Sequence, residues 1–323
     1  MANAGFRTIV ALFALLWPLA AQAQNYPDRP VKVIVPYTPG GGTDTVGRAI
    51  SQKLSEMWKQ PVVIENRPGA GSVIGGDAVA KSAPDGYTLL FTDCSTFVIN
   101  PHIYANMPFD PLKQLAPVSL AVQLAPVLAI ANDAPFRTVP ELVAYAKANP
   151  GKLTYASPGV GSYPHVGMEY FKHLAGIDIL HVPYRGSVPA VTDLLAGRVT
   201  MYMVTLSVFD AYEKDGKLKI IATGNEKRLP IRPELPTMGE SVKDFSVSVW
   251  FGYAAPAGTP PAVLDKIHND VATVLRDPQF NETFIKPQAY IPGSDSREQL
   301  AARLKAEYAK WAELVRISGA KVQ

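Results

Sequence analysis

The chain has 323 residues and a net charge of +3, with positive and negative side chains interspersed and no basic block, so nucleic-acid binding has no electrostatic footprint. Cys94 stands alone, which excludes a disulfide framework, and His102, His165, His173, His181 and His268 never fall at i,i+4 spacing or beside carboxylates in a ligand pattern, which argues against a metal site. A chain of this length exceeds what one hydrophobic core usually supports, so two domains are expected.

The first residues read as a leader. Arg7 carries a positive charge, Thr8 to Ala20 is apolar apart from Pro18, and Ala21-Gln22-Ala23 fits small-x-small cleavage. The run is shorter than the roughly 20 residues that span a bilayer. Residues 1–23 are therefore expected to be a signal peptide, with the exported chain beginning at Gln24 and carrying no membrane-embedded segment.

Strand, loop and helix then alternate. Val31 to Tyr37 is β-branched and breaks at Thr38-Pro39-Gly40-Gly41-Gly42, after which Val46, Ile50, Leu54 and Met57 recur at helical spacing with Thr43 or Asp44 as N-cap. Pro61 to Glu65 is a second strand, Asn66 to Gly71 a turn, and Ser72 opens a second helix. The turn Pro84-Asp85-Gly86 precedes a strand from Tyr87 to Thr92. Thr138-x-x-Glu141 predicts a capping box for a helix stopped by Asn149-Pro150-Gly151. Leu153 to Ser157 is a strand, and Pro158-Gly159-Val160-Gly161-Ser162 turns into a helix with Val166, Tyr170 and Leu174. Ile177 to Tyr184 is the next strand, Ser187 caps a helix ended by Gly197, and strands follow at Val199 to Val204 and Leu218 to Thr223. Such alternation predicts parallel sheets with helices on both faces.

The last third differs. A proline-punctuated connection over residues 225–246 leads to a strand near Val247 to Ala255 and two amphipathic helices, the second starting at Ser296-x-x-Gln299. Ala116 to Ala131 and Ser246 to Pro256 are the two comparable apolar stretches. Read as crossover strands, they predict one lobe from residues 24–125 plus 247–323 and an inserted second lobe from residues 126–246.

Two similar loops carry the most chemical information. Tyr37-Thr38-Pro39-Gly40-Gly41-Gly42-Thr43-Asp44 and Ser157-Pro158-Gly159-Val160-Gly161-Ser162-Tyr163-Pro164-His165 each join a strand end to a helix N-terminus. Free N–H groups and the helix dipole favour an anion there, and glycines admit close approach to the main chain. In open α/β sheets ligands sit at this end of the strands. Each loop alone also reads as an ordinary strand-to-helix turn. Neither matches a nucleotide template, because no Gly-Lys-Ser/Thr follows and Gly40-x-Gly42-x-x-Thr45 misses the dinucleotide spacing, so no cofactor is expected. Ser162 and His165 invite a hydrolase reading, yet Pro164 breaks the Gly-x-Ser-x-Gly elbow and Ser162 reads more simply as an N-cap. Arg185 either pairs with a carboxylate or stays solvated before its helix. Trp250 and Phe251 read as core. Cys94, with Ser95 and Thr96 at a strand end, stands within reach of a cleft and reads as a structural thiol.

Together these residues resemble the Bug receptors, extracytoplasmic solute-binding components related to the tripartite tricarboxylate transporter. The resemblance spans essentially the whole chain after the leader. It rests on Tyr26-Pro27-Asp28-Arg29-Pro30, Pro39-Gly40-Gly41 with Asp44, Asn66-Arg67-Pro68-Gly69-Ala70-Gly71, Pro84-Asp85-Gly86-Tyr87-Thr88-Leu89, Tyr155-Ala156-Ser157-Pro158-Gly159 with Gly161-Ser162 and His165, Val182-Pro183-Tyr184-Arg185-Gly186, and Ala255-Pro256-Ala257-Gly258-Thr259-Pro260. It implies a type II periplasmic-binding fold, an α/β architecture of two lobes joined by two crossover strands around a cleft. It implies a binding protein, not an enzyme, holding a small organic carboxylate by main-chain amides at Thr38 to Asp44 and Ser157 to His165. Large and small membrane subunits of a tripartite tricarboxylate-type transporter are the implied partners, and a signalling partner is the alternative.

The sites carried over are Tyr37, Thr38, Gly41, Gly42, Thr43 and Asp44; Ser95 and Thr96; Ser157, Val160, Gly161, Ser162 and His165; Arg185; and Val204 and Thr205. At the far end of the pocket this chain departs from its relatives. Gly197-Arg198-Val199-Thr200-Met201-Tyr202-Met203-Val204-Thr205-Leu206-Ser207 lacks the two acidic residues common there, and Asp93-Cys94-Ser95-Thr96 replaces a small-residue turn. Without those acids an amino-acid ligand is disfavoured. An aromatic dicarboxylate such as terephthalate, or an aliphatic diacid, is expected instead.

Overall fold

A computed structural model describes residues 26–247, 249–293, 295–319 and 321; the expected signal peptide lies outside them. The strands are β1 (Val31–Val35), β2 (Val62–Asn66), β3 (Thr88–Asp93), β4 (Leu115–Leu124), β5 (Pro126–Ala131), β6 (Thr154–Ser157), β7 (Leu180–Pro183), β8 (Met201–Thr205), β9 (Leu218–Thr223), β10 (Val249–Pro256) and β11 (Ile291–Pro292). The longer helices are α1 (Gly42–Trp58), α2 (Val73–Ala80), α3 (Val139–Ala148), α4 (Tyr163–Ala175), α5 (Ser187–Leu195), α6 (Pro261–Arg276) and α7 (Arg297–Ser318).

They build two sheets, ordered β11-β4-β10-β3-β1-β2 and β7-β6-β8-β5-β9. Each is the centre of an α/β lobe. The chain leaves the first sheet at the end of β4, passes through buried Ala125 and enters the second as β5. On its return Val247 N–H donates to Gly224 O at 2.9 Å, just before β10 joins the first sheet. β5 and β10 are buried along their whole length, as strands covered on both faces must be.

The expectation of parallel sheets needs a correction. β1 pairs in parallel with β2 and β3, and β6 with β7 and β8, but β10 is antiparallel to β3 and β4, and β5 to β8 and β9. The reason is topological. The parallel strands run toward the cleft and end there, whereas a strand arriving from the other lobe starts at the cleft and runs away from it. The strands that enter a sheet from the other lobe, β5 and β10, are therefore reversed.

Helix starts also differ from expectation in instructive ways. Ser296 and Gln299 form the full capping box on α7. Thr138 accepts from Glu141 N–H on α3, but the Glu141 carboxylate takes the Arg137 N–H, one residue before the expected partner. α1 begins at Gly42 with Gly41 as N-cap and no capping side chain, so Thr43 and Asp44 lie inside its first turn. Ser162 stands at the N-cap of α4, yet its hydroxyl donates to Gly159 O at 2.6 Å and leaves the helix N–H groups uncapped. Gly186, not Ser187, precedes α5. The helices bordering the cleft are thus left without side-chain caps. α7 packs on β4 of the first lobe and on α4 of the second, tying the lobes together.

Candidate functional site

Two neighbouring cavities lie between the lobes, and Tyr37, Thr38 and Pro158 line both. The outer one, about 540 Å3, takes Gly69–Ser72 and Tyr104 from the first lobe and Gly159, Val160, Tyr184, Arg185 and Gly186 from the second. The inner one is about 20 Å3, enough for little more than one water-sized group. Gly41, Gly42, Thr43, Asp93 and Phe251 face it from the first lobe, and Tyr163, Ser187, Val204 and Thr205 from the second.

Glycine sets how closely the lobes approach. A Cβ on Gly42 would stand 2.6 Å from Thr205 Cγ2, and one on Gly71 would stand 2.6 Å from Val160 O. Gly161 lies where a Cβ would sit 3.0 Å from Asn100 Oδ1 and 3.2 Å from Tyr104 Cε2. Each contact crosses from one lobe to the other. Tyr104 adds a 3.3 Å hydrogen bond to Val160 O, and Ser207 and Tyr290 join hydroxyls at 2.6 Å near the hinge.

The expected residues separate into those that face the cleft and those that shape it from behind. Tyr37, Thr38, Gly41, Gly42, Thr43, Val160, Arg185, Val204 and Thr205 line a cavity. Thr38 Oγ1 is buried without a hydrogen-bond partner. Asp44 does not line either cavity: its carboxylate accepts from Gly40 N–H and Arg48 at 2.9 Å each and from Asn66 at 2.8 Å. Against the upward pull of burial, these donors hold its pKa below the usual carboxylate range. Asp44 therefore shapes the first glycine loop. Thr96 is enclosed in a hydroxyl chain with Ser72 and Thr92, at 2.7 Å each. Ser95 gives its N–H to Asp93 at 2.9 Å while its own hydroxyl is buried without a partner.

Behind the second loop, Ser157 Oγ lies 2.7 Å from His181 Nε2 and 3.1 Å from Gly159 O. Gly161 N–H donates to His165 Nδ1 at 3.3 Å. The His165 ring stacks on His181 at 4.2 Å, which in turn stacks on Tyr155 at 4.8 Å. Burial lowers the pKa of His165 to about 4; burial, then His165 and Lys172, lowers that of His181 to about 3. Ser157, Gly161, Ser162 and His165 thus fix the loop and do not line the cavities. The hydrolase reading fails on this geometry: the Ser162 hydroxyl is given to Gly159 O, and His165 Nδ1 is occupied by the Gly161 N–H.

Asp93 is the group the sequence reading undervalued. It closes β3, is buried, and faces the inner chamber. Tyr37 Oη donates to Oδ2 at 2.8 Å and Ser95 N–H to Oδ1. Burial pushes its pKa up to about 6 even though both donors act in the opposite sense. The signal for it was an acidic residue ending a strand otherwise made of Leu, Phe and Thr, at the end of the sheet where ligands bind. Tyr163, Ser187 and Phe251 were also missed as cavity residues, because a helix start, a helix first turn and an apolar strand all look structural in one dimension.

The comparisons agree with this architecture. Residues 46–319 match the Tripartite tricarboxylate transporter family receptor. Protein BugT of Bordetella pertussis is 34% identical over 319 residues, covering 98% of each chain. The Rhodopseudomonas palustris protein Rpa4515 with adipate superposes with a TM-score of 0.89 at 31% identity, covering 92% of this chain and all of that one. MatC from the same organism, with bound malate, gives 0.84 at 27% identity, covering 90% of this chain and all of that one. With two α/β lobes, a cleft between their strand ends and receptor relatives along its whole described length, the chain belongs to the tripartite tricarboxylate transporter receptor family, the Bug receptors, whose members are binding proteins and not enzymes.

Proposed function

We propose that this protein is an exported periplasmic receptor that captures a small organic diacid and delivers it to the large and small membrane subunits of a tripartite tricarboxylate-type transporter. Residues 24–125 plus 247–323 form one jaw and residues 126–246 the other. The observation that carries the reading is that loop residues from both lobes, Thr38, Gly69 and Gly71 from one and Pro158 and Val160 from the other, face one cavity with Arg185 among its lining. A carboxylate between them gains main-chain donors from both sides. Each charge-assisted hydrogen bond returns about 1.5–3 kcal/mol against a desolvation cost of several kcal/mol, so donors from both lobes are needed and capture favours closure. Arg185, exposed at the rim, adds a cation suited to a carboxylate. Adipate and malate, named with two structural neighbours, support the diacid class, which also includes terephthalate.

A thermal-shift screen of aliphatic, aromatic, hydroxy- and amino-carboxylates tests the reading. Ligand at about 100 times its Kd stabilises by roughly 2.7 kcal/mol, which raises the Tm by several degrees. At least one carboxylate is expected to do so. A panel in which only neutral or cationic solutes shift the transition would contradict it.

A further inference from the structure

The inner chamber raises a question that carboxylate capture alone does not answer. A buried carboxylic acid, Asp93, faces it, and its partners are two donors, the Tyr37 hydroxyl and the Ser95 N–H. No cation pairs with Asp93 among the described residues. A buried carboxylate without a counter-charge is costly. The uncapped N-terminus of α1 opens on the same chamber, but a helix end supplies only about half an elementary charge. The remaining negative charge suits a proton-donating group on the ligand.

Size points the same way. At about 20 Å3 the chamber has room for one functional group, comparable with a single water. An ammonium or a hydroxyl has one heavy atom, while a carboxylate has three and would meet Asp93 as a like charge. The outer cavity, about 540 Å3 with Arg185 on its rim, has the volume and the charge for the carboxylate-bearing body. The cleft is therefore bipolar, cationic outside and acidic at its floor.

We propose that Asp93 determines specificity by selecting organic acids that carry a proton-donating substituent, an ammonium above all, over the same acids without one. This rests on the carboxylate-receptor reading and narrows it. It also reverses the expectation drawn from Gly197 to Ser207: the acid missing from β8 and its flanks is supplied from the end of β3 in the other lobe.

Isothermal titration at fixed pH with matched acids tests it: succinate, malate and aspartate in one series, adipate and 2-aminoadipate in another, and terephthalate as an unsubstituted aromatic. In the native protein, the tightest member of at least one series is expected to carry the donor and to bind at least tenfold more tightly than its parent. In Asp93→Asn the amino acid's advantage falls tenfold or more while the unsubstituted acids bind unchanged or more tightly. Asn still accepts a hydrogen bond, so an advantage that survives for malate and is lost for aspartate identifies a charge effect. Asp93→Ser provides a second variant if the amide disturbs folding, with near-ultraviolet circular dichroism as the check. Equal binding of substituted and unsubstituted acids by the native protein, or a ratio unmoved by either variant, overturns the proposal. If no acid of the panel binds, the carboxylate reading falls first and this one with it.

Discussion

Gly42→Ala is expected to weaken capture of the acid by on the order of tenfold or more without lowering the stability of the protein alone. The new methyl would stand 2.6 Å from Thr205 Cγ2, where carbon atoms need about 3.5–4.0 Å. The jaws would be held about 1 Å apart, and relieving such overpacking typically costs about 1–3 kcal/mol. Gly42 has no positive φ and opens a helix, so alanine is sterically welcome within its own lobe and favours the helix. Affinity and melting temperature should therefore move independently. Adding Thr205→Ser removes the opposing methyl and should restore most of the affinity. Calorimetric titration and thermal unfolding of the two variants provide the check. A Gly42→Ala protein that binds normally, or a double variant with no recovery, would show that this contact does not limit closure.

The second large effect is acid sensitivity. His165 and His181 are held neutral by burial, with folded pKa values of about 4 and about 3 against an ordinary 6.5. Below pH 6.5 the unfolded chain binds protons that the folded chain refuses, so stability falls as pH falls through that window and levels off below the folded values. By pH 4.5, His165 alone removes roughly 2.5 kcal/mol. His181 adds a similar amount, reduced by its partial exposure. Asp93 acts in the opposite direction. Its folded pKa of about 6 exceeds the ordinary 3.8, so the folded state takes its proton first and gains roughly 2 kcal/mol over the same range. These three groups together leave a net loss on the order of 2–3 kcal/mol between pH 7 and 4.5. Denaturant midpoints at pH 7, 5.5 and 4.5 measure it. His165→Gln with His181→Gln should flatten the dependence, and Asp93→Asn should steepen it. A native protein no more acid-sensitive than the double histidine variant would contradict the assignment.

The fold was legible because its strands and turns are written locally. The β9 bounds match residue for residue, and the Ser296–Gln299 box opens α7 as its spacing predicts. Strand direction was not legible. Alternation of strand and helix gives the same pattern whether or not an inserted strand runs against its neighbours, and the reversal of β5 and β10 follows only from which sheet each enters. Helix starts failed for a physical reason. Asp44 and Ser162 have cap chemistry, but Asp44 is drawn to Gly40 N–H, Arg48 and Asn66, and Ser162 to Gly159 O. Those preferences depend on tertiary neighbours and leave the helix N–H groups uncapped.

The candidate site divided along the same line. Glycine loops announce themselves by composition, so Thr38, Gly41, Gly42 and Val160 could be named from sequence. Whether a loop residue faces the cleft or supports it from behind depends on side-chain direction. Ser157 and His165 are the clearest cases: both sit in the second loop, and both turn inward to the His181 stack. Asp93 went the other way. Flanked by Thr92 and Cys94, it resembled a strand-end turn residue, and only the fold brings it to the same inner chamber as Thr205.

The central claim is that an acid is gripped between two jaws that close on it. Spin labels on cysteines at Val63 and Leu180, exposed positions in β2 and β7, would report the separation by double electron–electron resonance, with buried Cys94 as the native thiol to protect or replace. Saturating acid is expected to shorten and narrow the distance distribution. A distribution that stays the same, under conditions where titration shows the acid bound, would contradict the account.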